Sequence, residues 1–199
     1  MKILLTGATG YIGKRLLPVL LEQGHEVICC VRDKNRFPTG GIYKHDHISL
    51  FEVDFFNETT HADAIQSIDA AYYLVDTLSV KSDHSGQHEE TLVLNFIKIL
   101  QQTAVKQIIY LGSKTNHDPS QLVESPNSIE NILETSGIPF TSLKSEIIVG
   151  SGSATFEIIR DLVELLPVMI APKWLNSKHQ PIAIRNVLEY LSGVLLRPE

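Results

Sequence analysis

Ile3–Leu4–Leu5–Thr6–Gly7–Ala8–Thr9–Gly10–Tyr11–Ile12–Gly13 joins a short apolar run to a turn that repeats glycine at every third position. A run this short and uniformly apolar reads as a parallel strand buried on both faces, stopping at Thr6–Gly7. Beyond the turn Ile12, Leu16, Leu17, Leu20 and Leu21 recur at helical spacing, and Gly24 stands where a helix ends on a left-handed residue. A second β run, Val27 to Val31, follows. Strand, helix and strand at this spacing predict a right-handed crossover and two parallel strands. Each glycine has its own expected task. Gly7 lets the chain turn sharply, Gly10 lets backbone N–H groups approach a pyrophosphate, and Gly13 lets the helix pack closely on the sheet. The first-turn amides and the helix dipole favour negative phosphates there. The turn is therefore expected to hold a dinucleotide, with Gly7, Thr9, Gly10, Tyr11, Ile12 and Gly13 as its contacts.

The same alternation continues outward from the turn. Ile48 to Val53 reads as a strand, Thr59 to Ser67 as a short helix, Ala70 to Val75 as a strand, and Glu89 to Thr103 as an amphipathic helix. Gln107 to Leu111, Ser128 to Thr135 and Phe140 to Leu143 add a strand, a helix and a strand. Repeated β–α alternation predicts the α/β class: a doubly wound parallel sheet, the Rossmann fold, with a small, incomplete C-terminal extension. After Gly150 the rhythm weakens, with helical patterns over Ala154 to Leu166 and Ile184 to Leu196. The expected division is a dinucleotide-binding domain over 1–150 and a short substrate or partner region over 151–199, packed on it.

The chain of 199 residues is of single-domain size, with 43% hydrophobic and 20% charged residues. A net charge of −6 and the absence of a basic run argue against a nucleic-acid partner. No stretch approaches a membrane span, and Met1–Lys2 leads straight into a strand without a signal peptide, so a cytoplasmic protein is expected. Cys29 and Cys30 are adjacent in a β run, so their side chains point to opposite faces and cannot readily pair. His45–Asp46–His47 and the pair His84 and His88 lack a third ligand, and no metal is expected. Trp174, with Pro167, Met169 and Pro172, reads as a packed core edge.

The three–three glycine spacing in Thr6–Gly7–Ala8–Thr9–Gly10–Tyr11–Ile12–Gly13 resembles the short-chain dehydrogenase/reductase superfamily, in its extended and atypical branches. The resemblance extends over most of the chain. Asp54 looks like the superfamily's adenine-contacting acid, and Asn95 matches the Asn of its "N-x-x-x-x-L" helix. Gly137 to Lys144 is similar to its "G-I-P-x-T-x-L-R" strand, and Gln180 to Ile184 to the "P-I-x-V" stretch before its last helix. The resemblance implies further cofactor contacts from Asp54 and Phe55 and from Leu74 and Val75 at the end of the fourth strand. Arg32, just after the second strand, stands where NAD-preferring relatives carry an acid and suits a 2′-phosphate, so NADP is expected over NAD. Lys34 or Arg36 adds charge nearby, whereas Asp33 keeps NAD in view.

Most of the superfamily uses a Tyr with a Lys four residues later, on the helix after strand five. Tyr110 and Lys114 have that spacing, but Tyr110 lies inside a strand, where a residue four away is no helical neighbour. On the proper helix the two positions fall near Val123 and Asn127. Only Ser113 stands at the family's Ser position, and Lys144 with Glu146 supplies the charged groups near the expected nicotinamide. Ser113 and Lys144 are the catalytic candidates. The missing dyad resembles NmrA-like and other atypical members, or epimerase/dehydratase-like ones. Two functions follow as expectations: an NADP(H)-dependent oxidoreductase acting on a small carbonyl or nucleotide-sugar-like substrate, or a non-catalytic NADP(H) sensor with a regulatory protein partner. A sugar-nucleotide epimerase is a third, and it lacks its Tyr. Homo-oligomers are common in the superfamily.

Overall fold

The computed structural model describes residues 1–56, 65, 67–75, 85–113, 128–165 and 180–196. The expected helix over Thr59 to Ser67 falls mostly outside them, as do Trp174, Val123 and Asn127. Six strands form one parallel sheet: β1 (Lys2–Leu5), β2 (Glu26–Val31), β3 (Ile48–Glu52), β4 (Ala70–Tyr73), β5 (Gln107–Ser113) and β6 (Phe140–Ser145). Their order is β3-β2-β1-β4-β5-β6, so the winding reverses between β1 and β4. This is the doubly wound arrangement, and ligands bind in the crevice at such a reversal, outside the carboxyl ends of the strands.

Helices cover both faces. On one, α1 (Gly13–Glu22) and α5 (Ile184–Gly193) bury Leu16, Leu20, Val187 and Leu191 against Ile3, Leu5 and Cys29. On the other, α2 (Ser85–Leu100) and α3 (Ile129–Glu134) bury Val93, Phe96 and Leu133 against Leu4, Tyr73 and Ile108. Cys29 joins the first core and Cys30 packs on the second, as strand alternation requires, and both thiols are free. Burial pushes the Cys29 thiol up to about 12, so it behaves as a small core hydrophobe. Gly24 closes α1 at φ +77°, with its N–H on Leu21 O at 2.9 Å and that of His25 on Leu20 O at 3.1 Å.

The element bounds depart from the apolar pattern for identifiable reasons. β4 ends at Tyr73 because the N–H of Leu74 donates to Thr6 Oγ1 at 2.8 Å rather than to a strand. β5 and β6 run two residues past Leu111 and Leu143, to Ser113 and Ser145, because the ladder continues where the side chains turn polar. A short parallel pair, β7 (Ile147–Val149) with β8 (Pro181–Ala183), was not legible in the pattern. β7 precedes α4 (Ala154–Leu165), and β8 leads into α5, which returns residues beyond 180 to the main core. No helix among the described residues is long and apolar enough to cross a membrane.

Candidate functional site

At the reversal the chain leaves β1 through a hydroxyl clamp. Thr6, almost wholly buried, donates from Oγ1 to Tyr72 O at 2.9 Å and from its N–H to the same oxygen at 3.1 Å. With Leu74 donating back to Oγ1, one side chain ties the turn to the end of β4. Gly7 then adopts φ +64°, and a Cβ there would lie 2.1 Å from Leu74 O. Gly7 is required twice, for its conformation and for the approach of the carbonyl that directly follows β4.

The N–H of Gly10 donates to Gly7 O at 2.8 Å, closing the turn. A Cβ on Gly13 would lie 2.2 Å from Gly7 O and 2.9 Å from Ala8 Cα. The third glycine therefore lets the helix pack on its own turn, not on the sheet as its spacing suggested. Ile12 precedes α1 with no side-chain cap, and no acidic residue occupies the first turn. Uncapped first-turn amides at a helix N-terminus can hold an anion.

A cleft of about 520 Å³ opens above the carboxyl ends of β1, β2 and β4. Eight of the expected cofactor contacts line it: Gly7, Thr9, Gly10, Arg32, Asp54, Phe55, Leu74 and Val75. Tyr11, Ile12 and Gly13 do not. Ile12 packs into the α1 core, and the Tyr11 ring lies under the Arg15 guanidinium at 4.1 Å. Arg15 also donates to Tyr11 O and to Ser151 O, binding the turn to the segment after β7. A Cβ on Gly150 would lie 2.7 Å from the buried Tyr11 Oη, so this glycine makes room for the tyrosine.

The far end of the cleft is cationic. Arg32 and Arg36 both line it, both are exposed, and among the described residues neither side chain meets a carboxylate. Asp33 has another occupation: its Oδ1 accepts from the N–H of Asn35 at 2.9 Å and from Asn35 Nδ2 at 3.1 Å. It caps a short 3₁₀ turn, Lys34–Arg36. Phe37, Cys30 and Leu92 supply apolar wall that the sequence did not single out. Asp54 accepts from the N–H of Phe56 at 3.2 Å. Asn95, buried on α2, donates to Phe55 O at 2.8 Å and so holds that wall from 40 residues away.

The two catalytic candidates sit at the carboxyl ends of β5 and β6. Ser113 is the last residue of β5 and pairs with Ser145, one beyond Lys144; its side chain lies outside the described residues. Lys144 pairs with Gly112 in register, and its Nζ is 2.7 Å from Glu130 Oε2. Burial works to raise the Glu130 carboxyl, but the hydrogen bond from Lys144 and the nearby Ser142 outweigh it and hold it below its ordinary value. Glu146 accepts from the N–H of Gln180 at 2.6 Å, at the entry to β8. The rings of His45 and His47 lie 5.1 Å apart, and no metal-holding cluster occurs among the described residues.

Comparison with known proteins agrees with this geometry. Residues 3–140 match the profile of the NAD dependent epimerase/dehydratase family. The chain is 22% identical over 152 residues to the photosystem II assembly factor Ycf39 of Synechocystis, covering 72% of this chain and 44% of that protein. It is 22% identical over 165 residues to a bifunctional pinoresinol-lariciresinol reductase of Linum album, covering 75% of this chain and 48% of the reductase. The chain thus spans about half the length of these relatives. Among solved structures, the Bordetella bronchiseptica enzyme WbmH in complex with NAD+ superposes with a TM-score of 0.74 at 16% identity, covering 98% of this chain and 72% of that one.

Proposed function

Because the chain belongs to the NAD dependent epimerase/dehydratase family, we propose that it binds NADP(H) along the cleft. We further propose that it acts as an atypical oxidoreductase on a small carbonyl or nucleotide-sugar-like substrate. The observation that carries the reading is the far end of the cleft, where Arg32 and Arg36 meet no carboxylate among the described residues and Asp33 is engaged by Asn35. A guanidinium fork there suits a 2′-phosphate, and Asp33 uses its Oδ1 to cap its own turn. The glycine cradle and the uncapped start of α1 would receive the pyrophosphate. Asp54 and Phe55 would flank the adenosine, and Leu74 and Val75 the stretch toward the nicotinamide. When bound, the dinucleotide supplies hydride chemistry; this chain's residues position it and manage the proton. Ser113 and Lys144 would act at that end, and residues 151–199 would contribute to the substrate or partner side.

A reductase among the relatives and a neighbour in complex with NAD+ support the reading. A second reading, a non-catalytic NADP(H)-responsive regulator, draws on the pairing of Lys144 with Glu130 and on a relative named as an assembly factor. The two separate on one experiment. The protein is titrated with NADPH, and oxidation is followed at the nicotinamide absorbance against a panel of aldehydes, ketones and quinones. The oxidoreductase reading expects turnover with at least one class. Tight binding with no turnover across the panel would favour the regulator, and turnover that survives Ser113→Ala would remove the role given to that serine.

A further inference from the structure

Arg15, in the first turn of α1, spends its guanidinium on neutral partners. Nη1 donates to Tyr11 O at 3.1 Å, Nη2 donates to Ser151 O at 2.5 Å, and Cζ lies 4.1 Å from the centroid of the Tyr11 ring. Among the described residues it meets no carboxylate. Tyr11 belongs to the glycine turn and Ser151 to the loop after β7, so one side chain joins segments 136 residues apart.

The loop is shaped for this contact. A Cβ on Gly150 would lie 2.7 Å from Tyr11 Oη and 2.6 Å from Cγ2 of Ile184, the first residue of α5. Gly152, at φ +76°, leaves a Cβ position 3.6 Å from Arg15 Nη2 and 3.9 Å from Tyr11 Cε2. Tyr11 Oη is buried without a hydrogen-bond partner among the described residues, so the ring and not the hydroxyl makes the contact. The loop is also held from behind. Ser153, almost wholly buried, donates from Oγ to Ile148 O at 2.8 Å and from its N–H to Gly150 O at 3.0 Å. The N–H of Glu157 donates to Ser153 O at 2.9 Å, and Glu157 Oε1 accepts from the N–H of Gly152 at 3.1 Å, which ties the start of α4 to the loop.

The backbone of the glycine turn thus serves two contacts. Gly7, Thr9 and Gly10 line the cleft, whereas Tyr11 and Arg15 hold the loop. The N–H of Lys14 donates to Gly10 O at 3.0 Å and that of Leu16 to Ile12 O at 2.9 Å, so both contacts depend on one hydrogen-bonded unit. Two contacts that need the same backbone ordered strengthen each other, because the first to form has already removed its freedom.

We propose that Tyr11 and Arg15 are positioning residues that couple dinucleotide binding on the glycine turn to the ordering of residues 150–157. The inference rests on the dinucleotide reading above and needs no turnover. Coupling of this kind is reciprocal: an occupied turn steadies the loop and the start of α4, and a disturbed loop weakens the cofactor.

The test is amide hydrogen exchange of the whole chain, with and without saturating NADP+. In the wild type NADP+ is expected to slow the amides of Gly10 and Lys14, and also those of Ser153 and Glu157 by at least about fivefold. In Arg15→Met the first pair should still slow and the second should not. A second variant decides independently. Gly150→Ala lies outside the cleft, yet it is expected to weaken NADPH at least about fivefold, and adding Tyr11→Phe, which removes the clashing hydroxyl, to restore most of the loss. If Ser153 and Glu157 ignore NADP+ while Gly10 and Lys14 respond, or respond equally in Arg15→Met, the coupling is overturned and the cofactor reading stands. Wild-type NADPH affinity in Gly150→Ala, or a loss that Tyr11→Phe does not relieve, overturns it likewise. A wild type that binds no dinucleotide by calorimetry overturns the cofactor reading and this inference with it.

Discussion

Gly7→Ala is expected to lower the melting temperature by on the order of 10 °C and to abolish dinucleotide binding. At φ +64° an L-residue carries strain of about 1–2 kcal/mol. The added methyl would also sit 2.1 Å from Leu74 O, a backbone atom of the residue whose N–H the Thr6 clamp holds. Forcing volume into a packed site costs about 1–3 kcal/mol more, and a domain of this size loses about 2–4 °C per kcal/mol. Two companions separate the causes. Gly24→Ala carries the same strain, at φ +77°, with nothing within 4 Å of its new methyl. It should cost only a few degrees and leave binding intact. Gly13→Ala carries the clash, 2.2 Å from Gly7 O, without a left-handed conformation. It should impair binding strongly, because its relief must displace the turn. Thermal melts with and without NADPH read all three.

Arg32→Ala is expected to weaken NADPH binding by about 10- to 100-fold and to leave NADH affinity near its starting value. Hydrogen bonds to charged groups contribute about 1.5–3 kcal/mol, and each 1.4 kcal/mol is a factor of ten. The guanidinium lines the cleft and meets no carboxylate among the described residues, so its removal strips charge from the ligand's partner alone. Arg32→Lys should recover only part of the loss, because an ammonium keeps the charge and lacks the planar fork. The difference between NADPH and NADH should shrink as salt is raised, since Arg32 and Arg36 are exposed and screened. Calorimetric titrations of both dinucleotides at two ionic strengths check the whole set.

Much of the fold was legible because its signals are local. The apolar run Ile3–Leu5, the 3.6-residue rhythm to Leu21 and the stop at Gly24 each need only a few neighbouring residues, and each appears where expected. The opposite-facing Cys29 and Cys30 follow from strand alternation in the same way. What escaped was set by partners far along the chain. Thr6 reads as an ordinary polar end to a strand until Tyr72 and Leu74 meet it across the reversal. Asn95 was matched to a family pattern, but its task, holding Phe55 O, depends on how α2 packs. β7 and β8 are three residues each, too short for any period to show. The cleft was the most legible part of the site, since the glycine turn and Arg32 announce it.

The most direct test of the central claim is the affinity of the full chain for NADPH and for NADH, measured by calorimetry under identical buffer and salt. Binding along the cleft predicts saturable one-to-one binding of NADPH, with an affinity at least about tenfold above that for NADH. No saturable binding of either dinucleotide up to millimolar concentration, or tighter binding of NADH, would contradict it.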